Sequence, residues 1–528
     1  MPPVSAPFAS RYAHQYLVAT TDHVASSVAT SVLDKGGNAV DAAIACAAAL
    51  SVVAQHQCGM GGDAFVLVHE PSGVVHALDA AGRAGSGANP DRARSEGLSR
   101  LPLRLDVRSA TVPGAVAGWV ALHERFGSWD FSDLLAPAIE LAESGFVASP
   151  TLARDVRNVL GIDKHPEFAS VRKPGDPIQR PGIARVLRET AAGGLSGFYQ
   201  GSFAEGLLEL GQGEFRTDDL AGANATWVPP LHLEAFGSTL WTMPPVSQGY
   251  LILAAAFIAD QLDVPTDPSD PLWAHLLMEA SRLAGMDRNA VLYEGASGES
   301  LLDADQLTER AQRIDPSRRS EVTDHAREGD TNYFAIVDKE GYSVSFVHSN
   351  AHGFGSHLVV PATGIFLHNR GIGFSLKPGH PAEYRPGSKP PHTLSPIMAT
   401  DSRGQLQVVT GTMGADSQPQ VLLQLLHRLL VVGEDPATAL AAGRWYLGGP
   451  DGEHAPFDTW DVPGSANVQL EGQCPPAWTD GLSERGHDVR AAESFGVLAG
   501  YAQAIVRTED ALVGSSDPRA WSGSTIGR

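Results

Sequence analysis

The run Thr331-Asn332-Tyr333-Phe334-Ala335-Ile336-Val337, a short polar turn and a second run ending Val347-His348-Ser349 carry two hydroxyl side chains suited to acyl transfer. A threonine hydroxyl is a poor nucleophile at neutral pH and needs a base beside it. His348, His352 and His357 are near in sequence. No carboxylate that would orient any of them is readable, and with 19 histidines in the chain such proximity is cheap. There is no G-x-S-x-G elbow, no H-E-x-x-H pair and no Walker loop. An N-terminal threonine solves the problem differently, because its own α-amino group, with a pKa of about 7.7–8.0, can take the hydroxyl proton. That base exists only once the bond between Asp330 and Thr331 is broken. Read locally, a threonine opening a strand is also an ordinary β-former.

Two β-type runs joined through Asp338-Lys339-Glu340-Gly341 make a hairpin. With Gly341 in the left-handed position, Asp338 pairs with Tyr342, and the register carried back sets Thr331 opposite Ser349, where facing Cβ atoms are about 5 Å apart. Before the hairpin, residues 303–330 alternate charges and hold almost no large apolar side chain after Ile314, which predicts a solvated segment. The first third alternates a helical pattern around Ala39–Val53, a glycine-rich turn Gly59–Gly62 and strands on either side of Pro71-Ser72-Gly73, the mark of a layered α/β fold. Residues 134–144 and 272–285 have apolar positions at helical spacing.

At 528 residues, 43% hydrophobic and 19% charged, the chain has globular composition and length for a large core. Its 60 acidic against 38 basic side chains give a net charge of -22, which repels phosphate backbones and anionic headgroups. Nucleic acid and membrane surfaces are therefore not expected partners. Cys46, Cys58 and Cys474 are too few and too scattered for a disulfide framework or a zinc cluster, and no metal or cofactor is expected. The first residues lack the basic start and apolar run of a secretory signal, so a cytoplasmic location is expected. The longest apolar run, 42–54, is shorter than the roughly 20 residues a membrane span needs and reads as a core helix.

Gly329-Asp330-Thr331 before a hydrophobic strand, with Val337-Asp338-Lys339-Glu340-Gly341 and Phe354-Gly355-Ser356, resembles the processing site of gamma-glutamyltranspeptidases. Collinear blocks extend the resemblance over almost the whole chain: Gly36-Gly37-Asn38-Ala39-Val40-Asp41-Ala42, Gly59-Met60-Gly61-Gly62, Thr111-Val112-Pro113-Gly114, Pro244-Pro245-Val246-Ser247-Gln248-Gly249, Thr410-Gly411 and Asp517-Pro518-Arg519. The resemblance implies an N-terminal-nucleophile hydrolase with a four-layer αββα fold. A large chain, 1–330, and a small chain, 331–528, would be cut from one precursor and fold as one unit. It also implies that Thr331 is the nucleophile, that Ser349 is the hydroxyl contacting it, and that the backbone N–H groups of Gly414 and Ala415 form the oxyanion hole. The expected partners are a small-molecule amide and the other chain of the same precursor, with a homo-oligomer also open.

The substrate clamp departs from the family pattern. The arginine position of the large chain falls on Ala81, with Arg83 two residues on as a possible substitute. An asparagine position falls on Ala351, a glutamine on Arg370, an aspartate on Gly373, and paired serines fall on His392 and Thr393. Arg370, Thr393, Arg83 and His392 are thus the candidate substrate-binding residues. The pattern resembles a divergent branch of the family that includes oxamate amidohydrolase-like members. Three readings follow. The first is an acyl-Thr331 hydrolase or transferase of γ-glutamyl, glutathione-like amides. The second is an amidohydrolase of a small anionic amide without an α-ammonium, in which aspartate placed at 373 would restore γ-glutamyl preference. The third is a processed but inactive binding protein.

Overall fold

The computed structural model describes residues 8–223, 225–322, 331–448 and 466–528. Two seven-stranded sheets face one another. One runs Ser524–Gly527, Leu17–Thr20, Asn332–Val337, Ser343–Ser349, Asp63–His69, Val75–Ala80, Thr226–Val228. The other runs Arg11–Ala13, Leu512–Ser516, Ala502–Arg507, Leu406–Thr412, Ile397–Thr400, Ser238–Thr242, Leu231–Ala235. Successive side chains in a strand point to opposite faces, and the central strands are buried on both. In Asn332–Val337, Phe334 and Ile336 pack towards a helical layer, whereas Tyr333, Ala335 and Val337 pack between the sheets. Helices including Ala39–Val53, Ala115–Phe126 and Phe131–Ser144 cover the first sheet, and Tyr250–Asp260, Pro271–Gly285 and Gln418–Leu426 cover the second. This is the αββα plan the resemblance implied.

The helix Ala39–Val53 is buried on every side, and its alanines let neighbouring helices approach closely. Asn38 caps it, accepting from the N–H groups of Val40 and Asp41, while Asp41 accepts from Asn38 N. The hairpin fixes itself to that same helix end. Asp338 Oδ1 accepts from the N–H groups of Gly341 and Tyr342, and Oδ2 accepts from Ala39 N at 2.7 Å. Gly341 takes a φ of +98°, Asp338 N donates to Tyr342 O, and the pairs run from Val337 with Ser343 to Asn332 with His348. The expected register is the observed one. No helix among the described residues is long and apolar enough to cross a membrane.

The stretch after residue 303 is exposed or half-buried along most of its described length, as expected, but it is structured and anchored. Ala304–Gln312 is a helix docked through Leu307 and Ala311, and Arg310 pairs with Asp287. Beyond it the backbone is held by buried polar side chains: Asp315 O accepts from His275 Nε2, Ser320 N donates to Glu279 Oε2, and Ser320 O accepts from Arg282. Apolar patterning carries no trace of such an anchor. The expected cleavage residue Asp330 lies outside the described residues.

Candidate active site

Thr331 stands at the head of a central strand, on the parity of Tyr333 and Ala335, so its side chain faces the space between the sheets. Its Oγ1 lies 3.0 Å from Ser349 Oγ, and both residues are buried. Ser349 Oγ also accepts from Ala351 N at 2.8 Å. Asn332, on the opposite parity, pins the strand head by donating to Thr21 Oγ1 and Gln57 Oε1. His348 also faces away, donating from Nε2 to Gly59 O with its ring edge-on to Trp119. Burial pushes it down to about 4, so it is a neutral core residue. His352 sits on Arg104, and His357 Nδ1 accepts from Leu160 N.

Gly414 and Ala415 follow the strand Leu406–Thr412 of the facing sheet and open the helical turn leading into Gln418–Leu426. At a helix start the N–H groups have no intrahelical acceptor, and the dipole favours negative charge there. Both residues have positive φ, +132° and +48°. For alanine this costs about 1–2 kcal/mol, and the conformation is held from outside. Gln248 Nε2 donates to Ala415 O at 2.8 Å and to Thr393 O at 3.2 Å. Gln248 Oε1 accepts from Arg288, which pairs with Asp416 at 3.0 Å. One chain of hydrogen bonds thus holds the 415–416 peptide, which follows the two candidate donor amides, and ties it to the 393 loop. Beside Gly414 lies a cavity of about 500 Å³, lined in part by Arg104, Arg154, His352, Phe354, Met413 and Tyr446.

Arg370, Thr393 and His392 come together. Arg370 is buried and donates to Thr393 Oγ1 at 3.2 Å. Burial pushes its guanidinium down to about 10, opposed by the fields of Asp63 and Asp416, so it keeps its charge at neutral pH. Asp63 is the residue the sequence reading missed. It pairs with Ser349 across the sheet and is 1% exposed. Its Oδ1 accepts from Gly82 N and Gly114 N, both at 3.0 Å, and its Oδ2 lies 3.2 Å from His392 Nε2. Burial alone would raise this carboxyl, but His368, His392 and the Gly82 amide outweigh it and hold it well below the usual carboxylate range. A charged residue opening the wholly buried strand Asp63–His69 straight after Gly61-Gly62 was the available signal.

Arg83 is not part of this group. It is exposed and bound to Glu294 at 2.6 Å and to Gly387 O. Ala81 is buried, with its N–H on Asp79 Oδ1. Gly373 leaves no room for a side chain, since a Cβ there would stand 2.8 Å from the Pro391 carbonyl oxygen. The expectation that aspartate at 373 would supply an ammonium partner is corrected on that ground: backbone would have to move first.

Two facing sheets between helical layers, with a threonine at the head of a central strand, define an N-terminal-nucleophile hydrolase fold. The family model for gamma-glutamyltranspeptidase matches residues 25–526, and the chain belongs to that family. It is 35% identical over 527 residues to the oxamate amidohydrolase proenzyme of Klebsiella pneumoniae, covering 96% of this chain and 97% of that one. It is 32% identical over 533 residues to the glutathione hydrolase-like YwrD proenzyme of Bacillus subtilis, covering 97% and 98%. The solved cephalosporin acylase from Bacillus halodurans superposes with a TM-score of 0.89 at 30% identity, covering 100% of this chain and 98% of that chain. The chain is an enzyme, a hydrolase of this family.

Proposed function

We propose that the chain is an autoprocessed N-terminal threonine amidohydrolase and acyltransferase acting on γ-glutamyl, glutathione-like amides. The observation that carries this reading is the 3.0 Å contact between Thr331 Oγ1 and Ser349 Oγ at a strand head that faces the opposite sheet, from which the Gly414 and Ala415 amides emerge. In processing, Thr331 Oγ attacks the Asp330 carbonyl and the peptide nitrogen leaves, giving an ester. Water then hydrolyses the ester, freeing a carboxylate on Asp330 and the α-amine of Thr331. In turnover that amine takes the hydroxyl proton as Oγ attacks the substrate amide, and the 414–415 amides face the oxyanion. The proton passes to the departing amine, and water or an acceptor amine releases the acyl group from Thr331. Because the base must be unprotonated, kcat/KM should rise with pH through an acid limb near about 7.7–8.0. A flat pH–rate profile from 6 to 9 would point to another base.

Ser349→Ala should slow both processing and turnover, since loss of one such polar contact costs about 1–3 kcal/mol, or about 5- to 150-fold. Wild-type rates in that variant would remove Ser349 from the mechanism. Gln248→Leu should lower kcat about tenfold with little change in KM, by loosening the 415–416 peptide and with it the strained backbone that carries the two donor amides. A pure KM effect would assign Gln248 to substrate binding instead.

Charge supports a γ-glutamyl head group. Arg288 is paired with Asp416, and Arg370 is offset by Asp63, so a zwitterion adds no net charge to the buried site. A second reading is favoured by one observation: positions 351, 370 and 373 hold alanine, arginine and glycine, with no carboxylate to receive an ammonium. A donor without the ammonium would then be preferred. The test is release of amine or ammonia from γ-glutamyl, glutaryl and oxamyl amides by the cleaved enzyme. The γ-glutamyl amide is expected to give the highest kcat/KM, and a clear advantage for either of the others would transfer the site to the second reading.

A further inference from the structure

His392 lies in the core with its ring against Phe65, 4.8 Å between centroids. Its Nε2 faces Asp63 Oδ2, which as a carboxylate oxygen can only accept, so the imidazole proton sits on Nε2. Nδ1 is then a lone pair. That atom is fully buried and meets no hydrogen-bond partner among the described residues. A buried, unsatisfied acceptor is costly, by about 1–3 kcal/mol, and calls for an explanation at a binding site. The neighbouring histidine has none to spare. His368 Nδ1 accepts from Arg370 N, and Nε2 donates to Thr111 O. His392 adjoins Thr393, the partner of Arg370, and burial together with the Arg370 charge pushes it down to about 3, so the ring stays neutral.

We infer that His392 Nδ1 is the acceptor for a hydrogen-bond donor that the acyl group carries next to its carboxylate, and that Asp63 is the positioning residue fixing this tautomer. The inference rests on the reading that Arg370 and Thr393 hold the carboxylate of an acyl donor. It names what stands where a carboxylate side chain is missing: a neutral acceptor with the Asp63 charge behind it. An α-amino group, an amide N–H or an α-hydroxyl would satisfy it, and an isosteric group that cannot donate would not.

Two anilides of identical charge and nearly identical shape isolate the effect: 2-hydroxyglutaryl and 2-fluoroglutaryl, in the configuration of the γ-glutamyl compound. The cleaved wild-type enzyme should prefer the hydroxy compound by about 5- to 150-fold in kcat/KM, the worth of one buried acceptor satisfied or left empty. In Asp63→Asn, Oδ1 keeps the Gly82 and Gly114 amides while the new Nδ2–H faces His392 Nε2, driving the proton to Nδ1. The preference should then fall to about parity or below, and the ¹⁵N shifts of His392 should report the exchanged tautomer. His392→Gln, whose amide can still donate to Asp63 but offers no acceptor at the Nδ1 position, should also bring the ratio to about parity. It keeps the test open should Asp63→Asn not fold. Equal rates for the two anilides on wild-type enzyme would overturn the inference, as would an unchanged preference in either variant or a doubly protonated His392. Failure of every anionic anilide on wild-type enzyme would instead overturn the underlying reading of Arg370.

Discussion

Thr331→Ala is expected to remain a single chain and to lose amide hydrolysis by at least about 10⁴-fold, the scale of removing a nucleophile. Under denaturing conditions the wild type should separate into residues 1–330 and 331–528, the smaller beginning Thr331-Asn332-Tyr333. Both effects follow from one atom, because in the proposed mechanism the same Oγ attacks first the Asp330 carbonyl and then the substrate. The fold should survive. The substitution removes a hydroxyl and a methyl at a strand end, and Ser349 keeps its bond from Ala351 N. Thr331→Ser should process and turn over, since the nucleophile and the future α-amine are both retained. Mass spectrometry of the purified chains and an amine-release assay decide the matter. A wild-type chain that stays intact yet hydrolyses amides fully would end the proposal, because the catalytic amine would never have been freed.

The Thr331–Ser349 pair was legible in sequence because hairpin pairing is local. Once Gly341 takes the left-handed turn position, every partner back to Asn332 and His348 follows by counting. The αββα plan followed from a family resemblance spread along the chain rather than from periodicity, since strands such as Asn332–Val337 are buried on both faces and show no alternation of polarity. What stayed hidden depends on contacts between distant segments. Asp63 gathers Gly82, Gly114 and His392, and Gln248 joins Ala415 to Arg288 and Asp416. A charge opening a buried strand marks Asp63, and a block of the family resemblance holds Gln248, but neither signal names the distant partners. Gly373 looked like an empty place for a carboxylate until the Pro391 carbonyl filled it. Arg83 looked like a substitute cation until Glu294 claimed it.

The second large effect is expected at Arg370. If its guanidinium and Thr393 hold the donor carboxylate, Arg370→Met removes a buried, charge-assisted contact, and such losses run to about 2–5 kcal/mol, or roughly 30- to 5,000-fold in kcat/KM. The protein should tolerate the change better than an isolated buried ion pair would. Asp63, although relieved of a compensating charge, keeps two backbone N–H donors and His392. Arg370→Lys should recover only part of the loss, because an ammonium offers a point charge in place of a planar fork. The discriminating comparison is between glutaryl and valeryl anilides, alike in length and differing in the carboxylate. Arg370→Met should depress the glutaryl compound by at least about 30-fold and the valeryl compound by no more than about twofold, since the latter shares no contact with the lost group. Wild-type selectivity for the carboxylate should hold through neutral pH, since burial lowers the guanidinium only to about 10. Parallel losses on both anilides would show that Arg370 supports the fold of the 393 loop, and the carboxylate would then have to be sought at another cation.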